Sequence, residues 1–440
     1  MLPCLQELSI SGCKSFRDLT DEFTSLTCLE SLTISSCPVS TLPENFGNLP
    51  ALKTLVLRTL RLSHFPASFT RLASLESLFV FWCIGVDTLP AGFGRLTALQ
   101  TLSLEWLMNL DLPEDLGGLT NLQTFHLTKN TEEQLPPSFT QLASLTRLEL
   151  DRCEIAELPA GMAEMTNLQE LCLRKCPAIN ELPEFVTALV NLQVLRIQEC
   201  RRLSSVPRRL DSLTRLKELE LRKCWLLREA PQVLPFSLQA LSYFENSQHM
   251  VSPPDISRLT ELRVQLGEDA EGFLSLLARL PRLRVLTLKE ARSLNRLVES
   301  DGPPLQELRQ LNIHTTGEEL TALPAAITTL HRLTSIQIHA RRLSSLPDAI
   351  GAFSRLRRLD LSNCWSLTHL PASLTQLSCL HHLNISNTHI RLLPAGFAQL
   401  SRLKFLDLQN CKQLLALPYD IGDLRMLQQL LIKGCDMLHI

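Results

Sequence analysis

Leucine and isoleucine recur along this chain at a fixed spacing, with polar residues between them. In the segment 145–151, Leu148 and Leu150 alternate with charged neighbours, and this two-residue period is typical of a β-strand. The same pattern begins again roughly every 23 or 24 residues through the first half of the chain, and it occurs about nineteen times in all. A fixed period of this length predicts a solenoid in which each repeat forms one coil.

The coil that starts at Leu145 shows what each repeat contributes. Leu148 and Leu150 are expected to point inward, and the proline after Leu158 stops the strand from continuing. Met162 and Met165 then bury one side of a short helical turn on the opposite, convex face. One coil has too little apolar surface to fold alone, so stacked coils share a continuous core. The predicted fold class is an α/β solenoid with a parallel, concave β-sheet and short convex helical or irregular segments.

The regularity of the pattern changes along the chain. We expect one domain, 1–440, divided into regular repeats in 1–237, irregular repeats in 238–307, and regular repeats in 308–440, of which the last is incomplete. In the middle part the Leu-Pro pair is lost in 246–255, and residues 271–280 carry apolar side chains at helical spacing. Two interpretations stay open: decayed repeats that still stack, and long connections that carry function.

The placement of the cysteines indicates the cellular compartment of the protein, and its net charge indicates which classes of partner it does not favour. The chain has 14 cysteines, and ten of them follow the strand at the same repeat position: Cys13, Cys37, Cys83, Cys153, Cys176, Cys200, Cys224, Cys364, Cys411 and Cys435. This ladder predicts buried, reduced thiols, and therefore a reducing, cytoplasmic localisation. The net charge of −2 and the lack of a basic run do not favour nucleic acid or a membrane surface as partner. We also expect no signal peptide and no membrane span.

No motif for catalysis, cofactor binding or metal binding is present in the sequence. The carboxylates on the sheet face alternate with arginines, a pattern that indicates charge ladders between coils and not an acid–base pair. The adjacent histidines His381 and His382 need not converge, so we interpret them as surface residues. We therefore expect a protein that is not an enzyme, with no cofactor, no metal and no catalytic residue.

One group of aromatic residues stands out, because the chain has only 4 tryptophans and 2 tyrosines. By the alternation, Phe79 and Phe81 face outward from the concave sheet, and Trp82 and Trp106 share one register in adjacent coils. Two interpretations compete: rings that shield the strand ends, and anchors for a protein partner. The second predicts a protein-binding site on the concave face, with polar residues at its rim: Phe79, Phe81, Trp82, Trp106, Arg58 and Glu105.

The repeat unit also resembles that of a known receptor class. The segments 200–207, 364–371 and 411–422 match a pattern in which Cys is followed by Leu and then by Leu-Pro; Val206 replaces the second Leu in the first segment, and Ile421 completes the pattern in the third. This pattern is similar to the Cys-type leucine-rich repeats of plant intracellular nucleotide-binding immune receptors. The resemblance implies a leucine-rich-repeat horseshoe that binds a protein ligand, for recognition or scaffolding in plant-type intracellular immunity or signalling.

The sequence departs from this receptor class in one respect, and one alternative function stays open. The chain has no phosphate-binding loop, so in a full-length receptor a nucleotide-binding domain, or another cap, would be a separate partner. The alternative function is the substrate-recognition subunit of an enzyme complex such as a ubiquitin ligase, with catalysis on another polypeptide.

Overall fold

The computed structural model describes residues 4–107, 109–229, 231–244, 256–265, 280–289, 305–315 and 320–439. The sequence segments 246–255 and 271–279, on which the irregular repeats were predicted, lie outside these residues. The described strands form a 19-stranded parallel sheet, which confirms the predicted solenoid. The chain separates into two compact units, the first ending at Leu238 and the second beginning at Gln239; the division into regular and irregular repeats stays a prediction.

The first unit contains ten strands of 5 residues each. They are β1 (Glu7–Ser11), β2 (Ser31–Ser35), β3 (Thr54–Arg58), β4 (Ser77–Phe81), β5 (Thr101–Glu105), β6 (Thr124–Thr128), β7 (Arg147–Asp151), β8 (Glu170–Arg174), β9 (Val194–Gln198) and β10 (Glu218–Arg222). On the opposite side of the coils are short 3₁₀ helices at Asp21–Ser25, Phe46–Asn48, Ala67–Arg71, Phe93–Arg95, Leu116–Gly118, Pro137–Gln141, Ala160–Glu164 and Glu184–Ala188.

The second unit continues the same pattern. Its strands are β11 (Ala240–Phe244), β12 (Glu261–Gln265), β13 (Val285–Lys289), β14 (Gln310–Thr315), β15 (Ser335–Ala340), β16 (Arg358–Asp360), β17 (His382–Asn384), β18 (Phe405–Asp407) and β19 (Gln429–Leu431). Its 3₁₀ helices in the described residues are Ala325–Thr329, Asp348–Ala352, Ala372–Gln376, Phe397–Gln399 and Ile421–Asp423.

The strands shorten to 3 residues from β16 onward, and in β16 to β18 their third residue supplies the reason. The side-chain Oδ1 of Asp360 accepts a hydrogen bond from the backbone N–H two residues later, at 3.1 Å. Asn384 and Asp407 do the same at 3.0 and 2.9 Å. This local bond replaces the ladder bond that would continue the strand.

The core consists of the inward strand leucines and the apolar residues that follow them around the coil. Leu148 and Leu150 are fully buried, as are Met162 and, to within 1%, Met165, which confirms the predicted orientation of this coil. Phenylalanines from successive 3₁₀ helices stack on the side of the coils opposite the sheet, with ring centroids 6.1 Å apart for Phe46 and Phe69 and 6.5 Å for Phe69 and Phe93.

The cysteine ladder is present, and its thiols are free. Eight of its ten members are buried, whereas Cys13 is exposed and Cys435 is half-buried. The Sγ of Cys153 shows the bonding inside the ladder: it donates to the carbonyl of Leu127 in the preceding coil, at 3.4 Å. Burial raises the pKa of this thiol to about 12, so the ladder cysteines act as small buried groups that join neighbouring coils.

Candidate functional site

The four predicted aromatic residues lie together on two adjacent coils, and we call them the aromatic patch (Phe79, Phe81, Trp82 and Trp106). The rings of Phe79 and Phe81 are nearly parallel, with centroids 6.2 Å apart. The indole of Trp106 meets that of Trp82 edge-on at 5.4 Å. Trp82 is 55% exposed and the other three are partly exposed, so the patch is accessible to solvent.

Two polar side chains, Arg58 and Glu105, were predicted to lie at the rim of the patch. The guanidinium of Arg58 lies 4.7 Å from the centroid of the Phe81 ring, a cation–π arrangement. Glu105 turns the other way, with Oε1 2.9 Å from the hydroxyl of Ser103 and 3.2 Å from Nδ1 of His126. Arg58 therefore lies against the patch, whereas Glu105 makes its contacts with Ser103 and His126, and the role of both residues at a binding rim stays a prediction.

Trp82 and Trp106 belong to a row of residues that sequence reasoning did not find. Directly after each of the strands β2 to β10, one non-glycine residue has a positive φ, between 49° and 59°. Its backbone N–H extends the sheet ladder: the N–H of Trp82 donates to the carbonyl of Glu105 at 2.9 Å. We call this set the edge row: Ser36, Thr59, Trp82, Trp106, Lys129, Arg152, Lys175, Glu199 and Lys223.

The left-handed backbone explains how the coils of β2 to β10 turn. Alternation would point Arg152 inward and Cys153 outward, but the positive φ of 56° at Arg152 resets the alternation and buries Cys153. A non-glycine residue in this conformation costs on the order of 1–2 kcal/mol. The cost is greatest for β-branched and bulky side chains such as Thr59 and Trp82.

In three coils of the second unit, asparagine occupies the corresponding left-handed position. The corresponding positions after β16, β17 and β18 are Asn363, Asn387 and Asn410, each with positive φ. Asparagine adopts this conformation more readily than tryptophan, threonine or lysine. The edge row therefore keeps side chains that the turn itself does not favour.

Two positively charged groups of the edge row lie close to the ring of Trp106. The ammonium of Lys129 lies 4.9 Å from the Trp106 ring centroid, and the guanidinium of Arg152 lies 5.1 Å from the same ring. Both cations come from following coils. In the sequence, each of these residues directly precedes the repeat position that the ladder cysteines occupy. This position can be recognised as significant only once the turn geometry is known.

Beyond the patch, the sheet face of the first unit carries the predicted charge ladders. Arg196 lies at their centre, with Nη1 2.7 Å from Glu170 and Nη2 2.9 Å from Glu218. The hydrogen bonds that Arg196 donates to Glu218 raise the pKa of Arg196 further above its already high value, against the effect of burial. These carboxylates are paired with arginine between coils, so the arrangement is a cross-strand ion network and not a general acid–base pair.

In the second unit, a histidine pair lies on the sheet face. The rings of His314 and His339 meet edge-on at 4.8 Å, and burial and the neighbouring His339 lower the pKa of His314. The hydroxyl of Ser362 and the carboxylate of Asp360 approach the same nitrogen of His339, Nε2, at 3.0 and 3.6 Å. Activation of a serine requires the carboxylate on the other ring nitrogen, so this geometry does not build a nucleophile.

The side chains of the adjacent histidines His381 and His382 have different partners. His382 stacks on Phe405 at 4.2 Å, while Nδ1 of His381 lies 2.6 Å from the carbonyl oxygen of Cys379. Trp225 and Trp365 are each about half-exposed, with an arginine of the preceding coil over the ring. Within the described ranges, no group of His, Cys, Asp and Glu is placed to hold a metal ion. None of the helices in that same part of the chain has the length and apolarity needed to cross a membrane.

Comparison with known proteins places the repeats in a defined class. A family model described as a leucine-rich repeat region matches residues 2–111, 102–346 and 347–438. A leucine-rich repeat protein of Leptospira interrogans is similar in structure, with a TM-score of 0.52, 23% identity, and coverage of 92% of this chain and 90% of that one. A search of curated proteins gave no match.

Two receptor structures are also similar over most of the chain. The complex of TLR13 with ssRNA13 gives a TM-score of 0.58 at 18% identity, and covers 99% of this chain and 74% of that one. The Arabidopsis receptor kinase HAESA, in complex with the peptide hormone IDA and the co-receptor SERK1, gives a TM-score of 0.46 at 20% identity, and covers 98% and 78%. At these identities the similarity concerns the fold alone.

Proposed function

Because the chain belongs to the leucine-rich repeat family, we propose that it is a protein–protein interaction module that recognises a protein ligand on the sheet face of its first unit. Leucine-rich repeat domains are generally non-catalytic interaction modules, and the partly exposed face of the sheet provides a long surface for recognition. Binding at equilibrium, and not turnover, is the proposed mechanism.

The observation that carries this proposal is the exposure of the aromatic patch. Most outward positions of the sheet are polar or charged, whereas Phe79, Phe81 and Trp82 place three aromatic rings within one coil. Exposed aromatic clusters with a polar rim are typical of binding surfaces, because a partner removes the rings from water. A structural role explains them less well, since Leu78 and Val80 already fill the inward positions of that coil with full burial.

For the setting, we propose ligand recognition or scaffolding in plant-type intracellular immunity or signalling, in the cytoplasm. The Cys-type repeat pattern supports it, and so do free, buried ladder thiols, which suit a reducing compartment. In this proposal a nucleotide-binding domain or another cap in the full-length protein is a further partner.

A comparative pull-down tests the proposed function. The chain is immobilised as wild type, as the Phe81→Ala–Trp106→Ala variant, and as the control Tyr419→Ala, whose exposed aromatic side chain (94%) lies in the second unit. Proteins captured from plant cytosol are identified by mass spectrometry. We expect a protein retained by wild type and by the control but lost from the patch variant. Equal retention by all three chains would refute the patch as the binding surface.

A further inference from the structure

The aromatic patch continues along the edge row, where the side chains change from aromatic to cationic. After Trp82 and Trp106, the next three coils present Lys129, Arg152 and Lys175 at the same position. We propose that these five residues, the edge strip, bind an extended acidic peptide segment that places a large apolar side chain against the two tryptophans. This partner assignment rests on the proposed function, because it names the kind of ligand that the same surface takes.

Charge supports an acidic partner at this edge. The last strand position and the edge row of the coils from β3 to β9 carry more cations than carboxylates: Arg58, Lys129, Arg152, Arg174 and Lys175 against Glu105, Asp151 and Glu199. Asp151 is shared between Arg152 at 3.4 Å and Arg174 at 4.0 Å. Glu199 lies 3.8 Å from Lys175, and Lys129 has no carboxylate partner among the described residues. The cations therefore outnumber the carboxylates, and this edge of the sheet carries a net positive charge.

The types of side chain that the strip carries at its turns give a second observation. All five residues have a positive φ, although none of them is of a type that favours it. The turns after β16 to β18 make the same change of direction with asparagine, so the fold does not require tryptophan, lysine or arginine there. The positive φ is common to the whole edge row, including Ser36 and Thr59, so what distinguishes the strip is its choice of two tryptophans and three cations at these turns.

The spacing of the strip fits an extended peptide that crosses the coils. Neighbouring strands lie ~4.8 Å apart, so five coils present side chains over about 20 Å, which is the length of about six extended residues. The charge pattern directs the peptide to the edge. Away from this edge, the face of β7 to β10 is richer in carboxylates and would repel an acidic chain; Glu149, Glu170, Glu218 and Glu220 lie there around Arg147 and Arg196.

Selection from a displayed random peptide library against the full chain tests the assignment. We expect the enriched peptides to combine one aromatic or large aliphatic residue with two or more acidic residues, and to bind more weakly as salt increases. Their affinity is then measured for Lys129→Asn–Arg152→Asn, which installs the residue used in the second unit. Ser36→Asn is the matched control, since Ser36 belongs to the same row but lies outside the strip.

The expected result separates binding from folding. The Lys129→Asn–Arg152→Asn variant should lose about tenfold or more in affinity while its melting temperature stays equal to or above that of wild type, and Ser36→Asn should keep full affinity. Enrichment of neutral or basic peptides, no enrichment at all, or full affinity in the charge variant would overturn the assignment. Peptides that lose affinity in Phe81→Ala but not in the charge variant would overturn it too, yet leave the proposed function standing.

Discussion

Arg196 donates two hydrogen bonds to Glu218 of the next coil, from Nε to Oε1 at 3.0 Å and from Nη2 to Oε2 at 2.9 Å. This bidentate contact lies on a partly exposed sheet face, with 31% of the arginine side chain and 28% of the glutamate side chain accessible. The same guanidinium also reaches Glu170. One cation thus links three consecutive coils.

Removal of this cation should weaken the first unit. In Arg196→Ala, Glu170 and Glu218 lose their shared partner, and we expect the free energy of unfolding to fall by about 2 kcal/mol, less than for a fully buried pair. Urea unfolding measures it. Arg209→Ala is the control, because Arg209 pairs with Asp211 at the surface with 69% of its side chain exposed, and should change stability by under ~0.5 kcal/mol. Equal effects of the two variants would contradict the network.

The stack of buried phenylalanines Phe46, Phe69 and Phe93 should be essential for stability. Phe69 is fully buried between Phe46 and Phe93, so Phe69→Ala leaves a cavity and should cost about 3–5 kcal/mol. Differential scanning calorimetry would show a strongly lowered melting temperature. The stack would not be a structural element if the variant melted with wild type.

Stability should depend on alkaline pH through the cysteine ladder. Burial raises the pKa of Cys153, Cys224 and Cys364 from 9.0 to about 12. A group whose pKa is raised on folding contributes its stability below the unfolded value and loses it as pH rises through the folded value. Unfolding free energy should therefore be independent of these thiols below pH 9.0 and decline toward pH 12.

Two measurements check the ladder. The alkaline decline should be smaller in Cys153→Ala than in wild type, and an unchanged profile would count against the buried thiol. Reaction with a thiol reagent near neutral pH should be fast only at exposed cysteines, Cys4, Cys13 and Cys28, and the remaining thiols should react after denaturation.

Relief of the left-handed turn should stabilise the protein where no binding role is proposed. Thr59 has φ of 54°, so Thr59→Asn should raise the free energy of unfolding by up to about 1 kcal/mol. Thr54→Asn serves as the control, because Thr54 is the first residue of an ordinary strand and asparagine is unfavourable there. If the two variants were equally destabilised, the edge row would not be strained.

The repeat period was sufficient to predict the solenoid, the inward residues and the cysteine ladder, because each depends on local alternation and on stacking of equal coils. It also placed Trp82 beside Trp106, since equal registers in adjacent coils become neighbours. The left-handed residue after the strand was missed, because alternation alone assigns Arg152 to the inside. The pairing of Lys129 and Arg152 with one indole was missed for the same reason: it depends on where that turn directs long side chains.

The binding role of the aromatic patch is tested most directly by paired measurements on Phe81→Ala and Trp106→Ala: the affinity for the protein recovered in the pull-down, and the free energy of unfolding. Loss of an anchor should weaken binding by about 2 kcal/mol or more. The stability of the chain should change by no more than ~0.5 kcal/mol, because these rings are partly exposed. A large loss of stability with unchanged affinity would show that the rings are structural and would contradict the account.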